Sequence, residues 1–212
     1  VSREEGVSER PLPLLQHQKI ADFPRYIPQH LNRTAPNVPT DTDHVPIFIL
    51  APPRSGTTLL RVMLAGHPDL FACNELQLFH FESLTDRSAA YSGKFALWAE
   101  GLVRAVMELQ NLSADDAKLL LHDFAQRGMT TAAMLAQLQS WVGERTIVDK
   151  SPSYLLDSSA LEKIIRDFPK ARFIHLVRHP YSMVRSFEKY HLDQVLYLKD
   201  HPYKPRELGE LV

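Results

Sequence analysis

The chain has 212 residues, with 24 Lys+Arg against 25 Asp+Glu, 44% hydrophobic residues and 23% charged ones. This ordinary mix excludes wholesale disorder and fibrous repeats, and the length, against ~100–200 residues for a typical domain, predicts one globular core. A net charge of -1 argues against an electrostatically driven partner such as nucleic acid, and the single cysteine, Cys73, provides neither an internal disulfide nor a multi-cysteine zinc site.

No apolar run approaches the ~18 residues of a transmembrane helix, and the start, Val1-Ser2-Arg3-Glu4-Glu5, lacks an apolar signal core. The expectation is a cytoplasmic protein with no membrane partner. Seven of the 15 prolines fall before residue 47. Their missing amides and restricted predecessors prevent long helices or central strands, so residues 1–45 read as a proline-rich linker or wrapping arm.

The folded body opens with Ile47-Phe48-Ile49-Leu50, an apolar run suited to a strand buried on both faces. The loop Ala51-Pro52-Pro53-Arg54-Ser55-Gly56-Thr57-Thr58 follows, then a helix with Leu59, Val62, Met63 and Gly66 on one face, ending at His67-Pro68. From about Ser83 to Val142 the pattern is mostly helical, with a capping serine at Ser113 and a closing Gly143. Thr146-Ile147-Val148 reads as a second strand. A capping box at Ser159–Glu162 opens a helix with Leu161, Ile164, Ile165 and Phe168 inward. Arg172–Val177 is a third strand with His175 in the core, and Pro180 starts another helix, followed by a new one near Arg206. Strand–helix alternation predicts an α/β fold: a P-loop-type three-layer arrangement with a central parallel sheet flanked by helices, plus a largely helical insertion.

A strand, tight loop and helix together aim backbone amides at the positive end of a helix dipole, which suits phosphate or sulfate. Ser55, Gly56, Thr57 and Thr58 form that cradle. The loop departs from the Walker A pattern: no lysine follows Gly56, and the nearest cation is Arg54. A guanidinium can hold an anion without a metal, so no metal ligand set is expected. Arg178 ends a strand at the rim where α/β sheets bind ligands, and Ser186 lies on the next helix within reach of that rim.

These two anchors resemble those of sulfotransferases that use 3′-phosphoadenosine-5′-phosphosulfate (PAPS). Pro53–Leu60 is similar to their 5′-phosphosulfate loop, and Val177-Arg178-His179-Pro180 with Ser186 to their 3′-phosphate site. The resemblance covers roughly residues 46–190 and implies that Arg54 to Thr58 hold the phosphosulfate while Arg178 and Ser186 hold the 3′-phosphate. Residues 46–212 are then the sulfotransferase domain. The family's late glycine- and basic-rich adenine loop has no counterpart before Val212, which points to further C-terminal sequence.

The same resemblance implies roles for two more positions. Glu75, in Cys73-Asn74-Glu75-Leu76, matches the glutamate base of tyrosylprotein sulfotransferases, with His80 as the reserve base. Lys150, in Asp149-Lys150-Ser151-Pro152, matches a lysine that contacts the bridging oxygen, and Ser151 is a candidate nucleotide contact. Leu60–Phe71 and Glu75-Leu76 resemble sulfotransferase domains of modular polyketide synthases. That likeness implies sulfonation of a β-hydroxyl on an acyl chain carried by an acyl carrier protein. A neighbouring thioesterase would then drive decarboxylative elimination to a terminal alkene. The arm and the non-Met start suit a domain from such a megasynthase, and the helical block 83–142 reads as a lid over a lipid-like substrate. The alternatives are a sulfotransferase for tyrosine or a small-molecule hydroxyl, and a magnesium-dependent P-loop kinase.

Overall fold

A computed structural model describes residues 45–189. The proline-rich arm, the helix expected near Arg206 and the side chain of Phe187 lie outside the described residues. Four parallel strands form one sheet: β1 (Ile47–Leu50), β2 (Leu70–Ala72), β3 (Thr146–Asp149) and β4 (Arg172–His175), in the order β2-β3-β1-β4. Helices connect them, as the strand–helix alternation predicted: α1 (Thr57–Ala65) after β1, and α6 (Ser158–Asp167) between β3 and β4. The insertion between β2 and β3 is helical, built from α2 (Leu84–Ala90), a 3₁₀ segment (Gly93–Ala99), α3 (Glu100–Gln110), α4 (Ala114–Gln126) and α5 (Thr131–Val142). The last described element, α7 (Pro180–Lys189), begins at Pro180 as expected.

The central position of β1 explains its uninterrupted apolar sequence, because Phe48 and Ile49 face opposite sides of the sheet and both are fully buried. Phe48, Phe79 and Tyr154 meet edge to face, with centroids 5.5–6.4 Å apart, forming an aromatic floor under the strand ends. The insertion packs on its own core through Leu120, Phe124, Met134, Leu135 and Leu138. Its helices α4 and α5 start on side-chain caps: Ser113 accepts from the Asp116 amide and Thr130 from the Ala133 amide.

The strand β2 was not foreseen. It has three residues and no alternation to mark it, and its pairing with β3 is extended by Thr146 N–H to Asp69 O (2.8 Å) and Cys73 N–H to Val148 O (2.9 Å). Three other expectations need correction. The inward side of α1 is Thr57, Leu60, Arg61 and Leu64, because Arg61 donates to the Ala72 carbonyl at 3.2 Å; Leu59, Val62 and Met63 are exposed. The cap of α6 is Asp157, which accepts from the Ser159 and Ala160 amides, so the helix starts earlier and Ile165 turns outward. His175 is exposed rather than core, since β4 pairs only with β1 among the described residues and is an edge strand.

Candidate active site

The loop after β1 bends through two left-handed residues, Arg54 (φ 69°) and Gly56 (φ 93°). Glycine takes this conformation without penalty, but arginine does so at a cost and must be held there. The ties come from the segment after β4 and from α7. Arg178 donates from Nη1 to the Arg54 carbonyl at 2.7 Å, and Arg54 donates from Nε to Ser186 Oγ at 2.9 Å. Ser55 Oγ reaches Met183 Sδ at 3.1 Å, so α7 packs directly on the loop. The structure thus brings Arg54, Arg178 and Ser186 into one cluster, although 124 and 132 positions separate them from Arg54 along the chain.

Gly56 precedes α1 and, lacking a side chain, leaves the first-turn amides uncapped. No heavy atom stands within 4 Å of where its Cβ would sit, so the backbone here is open to a ligand. Ser55 and Thr57 are buried on either side, and no acidic side chain occupies the first turn of α1. Amides at a helix start, flanked by Arg54 and Arg178, fit a phosphate or sulfate group.

Beside the loop opens a cleft of about 450 Å³. Thr58 and Arg61 of α1 line it on one side, Asn74, Glu75, Gln77 and Lys150 at its base. The insertion supplies the opposite wall through Leu97, Trp98, Glu100, Gly101 and Arg104. Glu75 Oε1 and Lys150 Nζ form an ion pair in which the lysine side chain is 6% exposed and the glutamate 42%. Burial gives this pair more weight than a surface salt bridge, while the glutamate keeps access to the cleft.

The neighbouring Asp149 is fully buried. It accepts from Ser151 Oγ (2.9 Å), Tyr154 OH (3.0 Å) and the Leu76 amide (3.4 Å). Burial raises its carboxyl to about 6 despite these hydrogen bonds, and the charge of Glu75 adds to the rise. Ser151 is wholly buried in this network and receives the Gln77 amide at 3.1 Å; it does not line the cleft. His80 also lies away from the cleft lining, its ring nitrogens engaged by Asp157 Oδ2 (2.7 Å) and Ser153 Oγ (2.8 Å). His67 accepts from the Asp69 amide at 3.2 Å, as a turn-shaping histidine does.

Sequence reasoning missed Gln77 and Gly101. Gln77 is a polar residue inside the apolar run Leu76–Phe79 and is 1% exposed with φ 51°. Gly101 is an isolated glycine in a helical pattern. A polar break in an apolar run and a glycine inside a helix were the available signals.

With this geometry in view, the similarities to known proteins are informative. Residues 46–207 match the sequence profile described as the sulfotransferase family. The nodulation protein NoeE of Sinorhizobium fredii is 31% identical over 145 residues, which is 66% of this chain and 30% of that protein. Among solved structures, the sulfotransferase domain of the Synechococcus PCC 7002 olefin synthase superposes with a TM-score of 0.69 at 38% identity. The alignment covers 80% of this chain and 58% of that domain. The sulfotransferase domain from the curacin biosynthetic pathway gives 0.70 at 35% identity, covering 80% and 59% respectively. The chain therefore spans less than two thirds of each protein it matches.

Proposed function

The chain belongs to the sulfotransferase family, and from that premise we propose that it transfers a sulfuryl group from PAPS to a hydroxyl on a carrier-bound acyl chain. The observation that carries this reading is the Glu75–Lys150 ion pair, set in a cleft that begins at Thr58 of the anion loop.

In this reading the amides of Ser55 to Thr58, with Arg54, hold the phosphosulfate end of the donor. Arg178 and Ser186 hold the 3′-phosphate. The donor supplies the sulfuryl group, whose bond to the phosphate bridging oxygen breaks as the acceptor oxygen bonds to sulfur. Glu75 takes the proton of the acceptor hydroxyl at its carboxylate. Lys150 holds Glu75 before the reaction and is the cation nearest to that proton transfer, free to compensate charge on the departing oxygen once Glu75 is neutral. The hydroxyl reacts only when it stands between this carboxylate and the loop, so the cleft walls act chiefly by positioning.

The acceptor wall supports a chain-like substrate. Leu97 and Trp98 present apolar surface to the cleft, and Leu97 is 76% exposed. The two solved domains named above come from an olefin synthase and from the curacin pathway. By analogy the acceptor here is the β-hydroxyl of an acyl chain on an acyl carrier protein within a polyketide synthase. Sulfonation makes that oxygen a leaving group, and a partner thioesterase would complete decarboxylative elimination to a terminal alkene. Among the described residues no helix is long and apolar enough to cross a membrane. The cytoplasmic setting belongs to this proposal too.

The test is incubation of the protein with PAPS and four acceptors: a β-hydroxyacyl carrier protein, a tyrosine peptide, a simple phenol and a glycan. Mass spectrometry reads the gain of one sulfuryl group. Gain on the carrier-bound chain is the expected result. Gain on the peptide or the phenol alone transfers the assignment to those acceptors. Binding of magnesium–ATP without binding of PAPS or its product, 3′-phosphoadenosine-5′-phosphate, overturns it in favour of the kinase reading.

A further inference from the structure

Glu75 is held by more than Lys150. Its second carboxylate oxygen, Oε2, accepts from Gln77 Nε2 at 3.3 Å. Gln77 in turn is fixed at every polar position it has. Its amide donates to Ser151 Oγ (3.1 Å), and its carbonyl accepts from Arg87 Nε (3.1 Å). Its side-chain oxygen accepts from Ser153 Oγ at 2.5 Å. A non-glycine residue at φ 51° and 1% exposure carries backbone strain that persists only where its surroundings over-determine it. These hydrogen bonds do so.

The direction of the chain follows from donors and acceptors. An ionised carboxylate only accepts, so the NH₂ end of the Gln77 amide faces Glu75 and the oxygen end faces Ser153. The Ser153 hydrogen is thereby spent on Gln77. The serine oxygen also meets His80 Nε2 at 2.8 Å, and His80 Nδ1 meets Asp157 Oδ2 at 2.7 Å. Asp157 is itself anchored as the cap of α6. Partial burial of its carboxyl is outweighed by hydrogen bonds from Ser159 and His80, which keep it below the usual carboxylate range. One line of hydrogen bonds therefore runs from a helix cap to the Glu75 carboxylate, and both candidate bases of the sequence stand on it.

We propose that Gln77 is a positioning residue for Glu75, and that Asp157, His80 and Ser153 serve to keep the Gln77 amide turned with its donor toward that carboxylate. Lys150 and Gln77 grip one oxygen each, which fixes the plane of the carboxylate. A single ion pair would leave it free to rotate. The kinetic consequence rests on the reading of Glu75 as base; the conformational one does not.

Two variants test this. Gln77→Met keeps volume and removes both side-chain hydrogen bonds; Ser153→Ala, at a half-buried hydroxyl, removes the bonds to Gln77 Oε1 and His80 Nε2 and leaves the Gln77–Glu75 bond in place. Crystal structures come first and need no acceptor. Glu75 is expected to leave its single conformer in Gln77→Met and to share it with others in Ser153→Ala. A Glu75 side chain unmoved in Gln77→Met overturns the proposal. Kinetics follow with the acceptor found in the panel above. Gln77→Met lowers kcat by ~10–100-fold, the scale of an ångström-sized misplacement. Its affinity for 3′-phosphoadenosine-5′-phosphate stays within about threefold, since the donor loop is built from other residues. In a Glu75→Gln background the same change has no added effect, because positioning acts only through the carboxylate. A loss that adds to Glu75→Gln, or an equal fall in nucleotide affinity, marks a general structural role and also overturns it. Should Glu75→Gln itself keep full activity, the base assignment fails, and the conformer measurement still decides the positioning claim.

Discussion

Gly101, in the first turn of α3, lies against the backbone of Glu75 so closely that a methyl group there would stand 1.9 Å from the Glu75 carbonyl oxygen and 2.7 Å from its carbonyl carbon. Only glycine admits this approach. The helix that lines the cleft is thus seated directly on the residue proposed as base, and the two form one mechanical piece. Gly101→Ala is expected to destabilise the fold by about 1–3 kcal/mol through overpacking, and to lower sulfonation ~10–100-fold by displacing Glu75. Affinity for the product nucleotide should stay near that of the parent. Denaturant melts and calorimetric titration on the same preparation separate the effects.

Arg87 makes the complementary prediction. This guanidinium is 4% exposed and donates to the carbonyls of Leu76 (2.8 Å) and Gln77 (3.1 Å), with longer bonds to Trp98 (3.4 Å) and Ala99 (3.5 Å). It ties the loop carrying Glu75 to the segment carrying Trp98. Burial lowers its otherwise very high proton affinity, while Tyr91, Tyr154 and Asp149 push the other way. Arg87→Met orphans buried carbonyls and should cost about 2–4 kcal/mol in chemical denaturation. Arg87→Lys should recover only part of it, because an ammonium cannot span these acceptors as a fork does. Full stability in Arg87→Met would show that water replaces the guanidinium.

Asp149 gives the pH dependence of stability a distinct component. Its folded carboxyl titrates at about 6, against 3.8 for the exposed group. The folded state therefore binds this proton more tightly than the unfolded chain does. The contribution is fully present below about 3.8 and is lost as pH rises through about 6. At the usual conversion it amounts to roughly 3 kcal/mol against the ionised folded form. Carboxylates such as Asp167 act in the opposite direction: there burial is outweighed by Arg166 and Lys163, which keep it low, so its contribution is lost as pH falls. The difference in unfolding free energy between the parent and Asp149→Asn, followed from pH 4 to pH 7, isolates the Asp149 component. A difference that does not change with pH would contradict the raised value.

The second anchor separates donor binding from chemistry. Arg178→Ala removes a guanidinium that touches the Arg54 carbonyl and, in the proposed reading, the 3′-phosphate. Affinity for 3′-phosphoadenosine-5′-phosphate should fall ~10–100-fold, the scale of a lost charge-assisted hydrogen bond. Ser186→Ala, which takes a neutral acceptor from Arg54 Nε, should cost less, ~3–10-fold. Equal affinities in all three proteins would remove this cluster from the donor site.

The parts of this architecture that the sequence announced are those where local chemistry has one solution. An apolar tetrapeptide, two prolines and a glycine leave little choice but strand, loop and helix, and β1, the loop after it and α1 lie where expected. Ser113 caps its helix as expected because a hydroxyl at such a position has few better partners. What was misread depends on partners distant in the chain. The inward face of α1 is chosen by Arg61 reaching the Ala72 carbonyl, which hydrophobic periodicity does not encode. Three residues suffice for β2 because β3 supplies the other half of its ladder. Gly101 matters through a contact with Glu75 made only once the insertion has folded back, and Gln77, two residues from Glu75, is fixed by the distant Ser151, Ser153 and Arg87. His80 drew attention as a titratable group beside Glu75, yet its ring nitrogens are taken up by Asp157 and Ser153.

The strand order β2-β3-β1-β4 has a kinetic corollary. The loops leaving those strands carry, in the same sequence across the sheet, Glu75, Lys150, Arg54 and Arg178. At the usual spacing of neighbouring strands this row is about 14 Å long. On the proposed assignment its one end receives the alcohol and its other end the nucleotide, so the two ligands arrive from opposite flanks and neither obstructs the other's exit. Initial-rate plots should then intersect rather than run parallel, as for direct transfer in a ternary complex, with no obligatory order of addition.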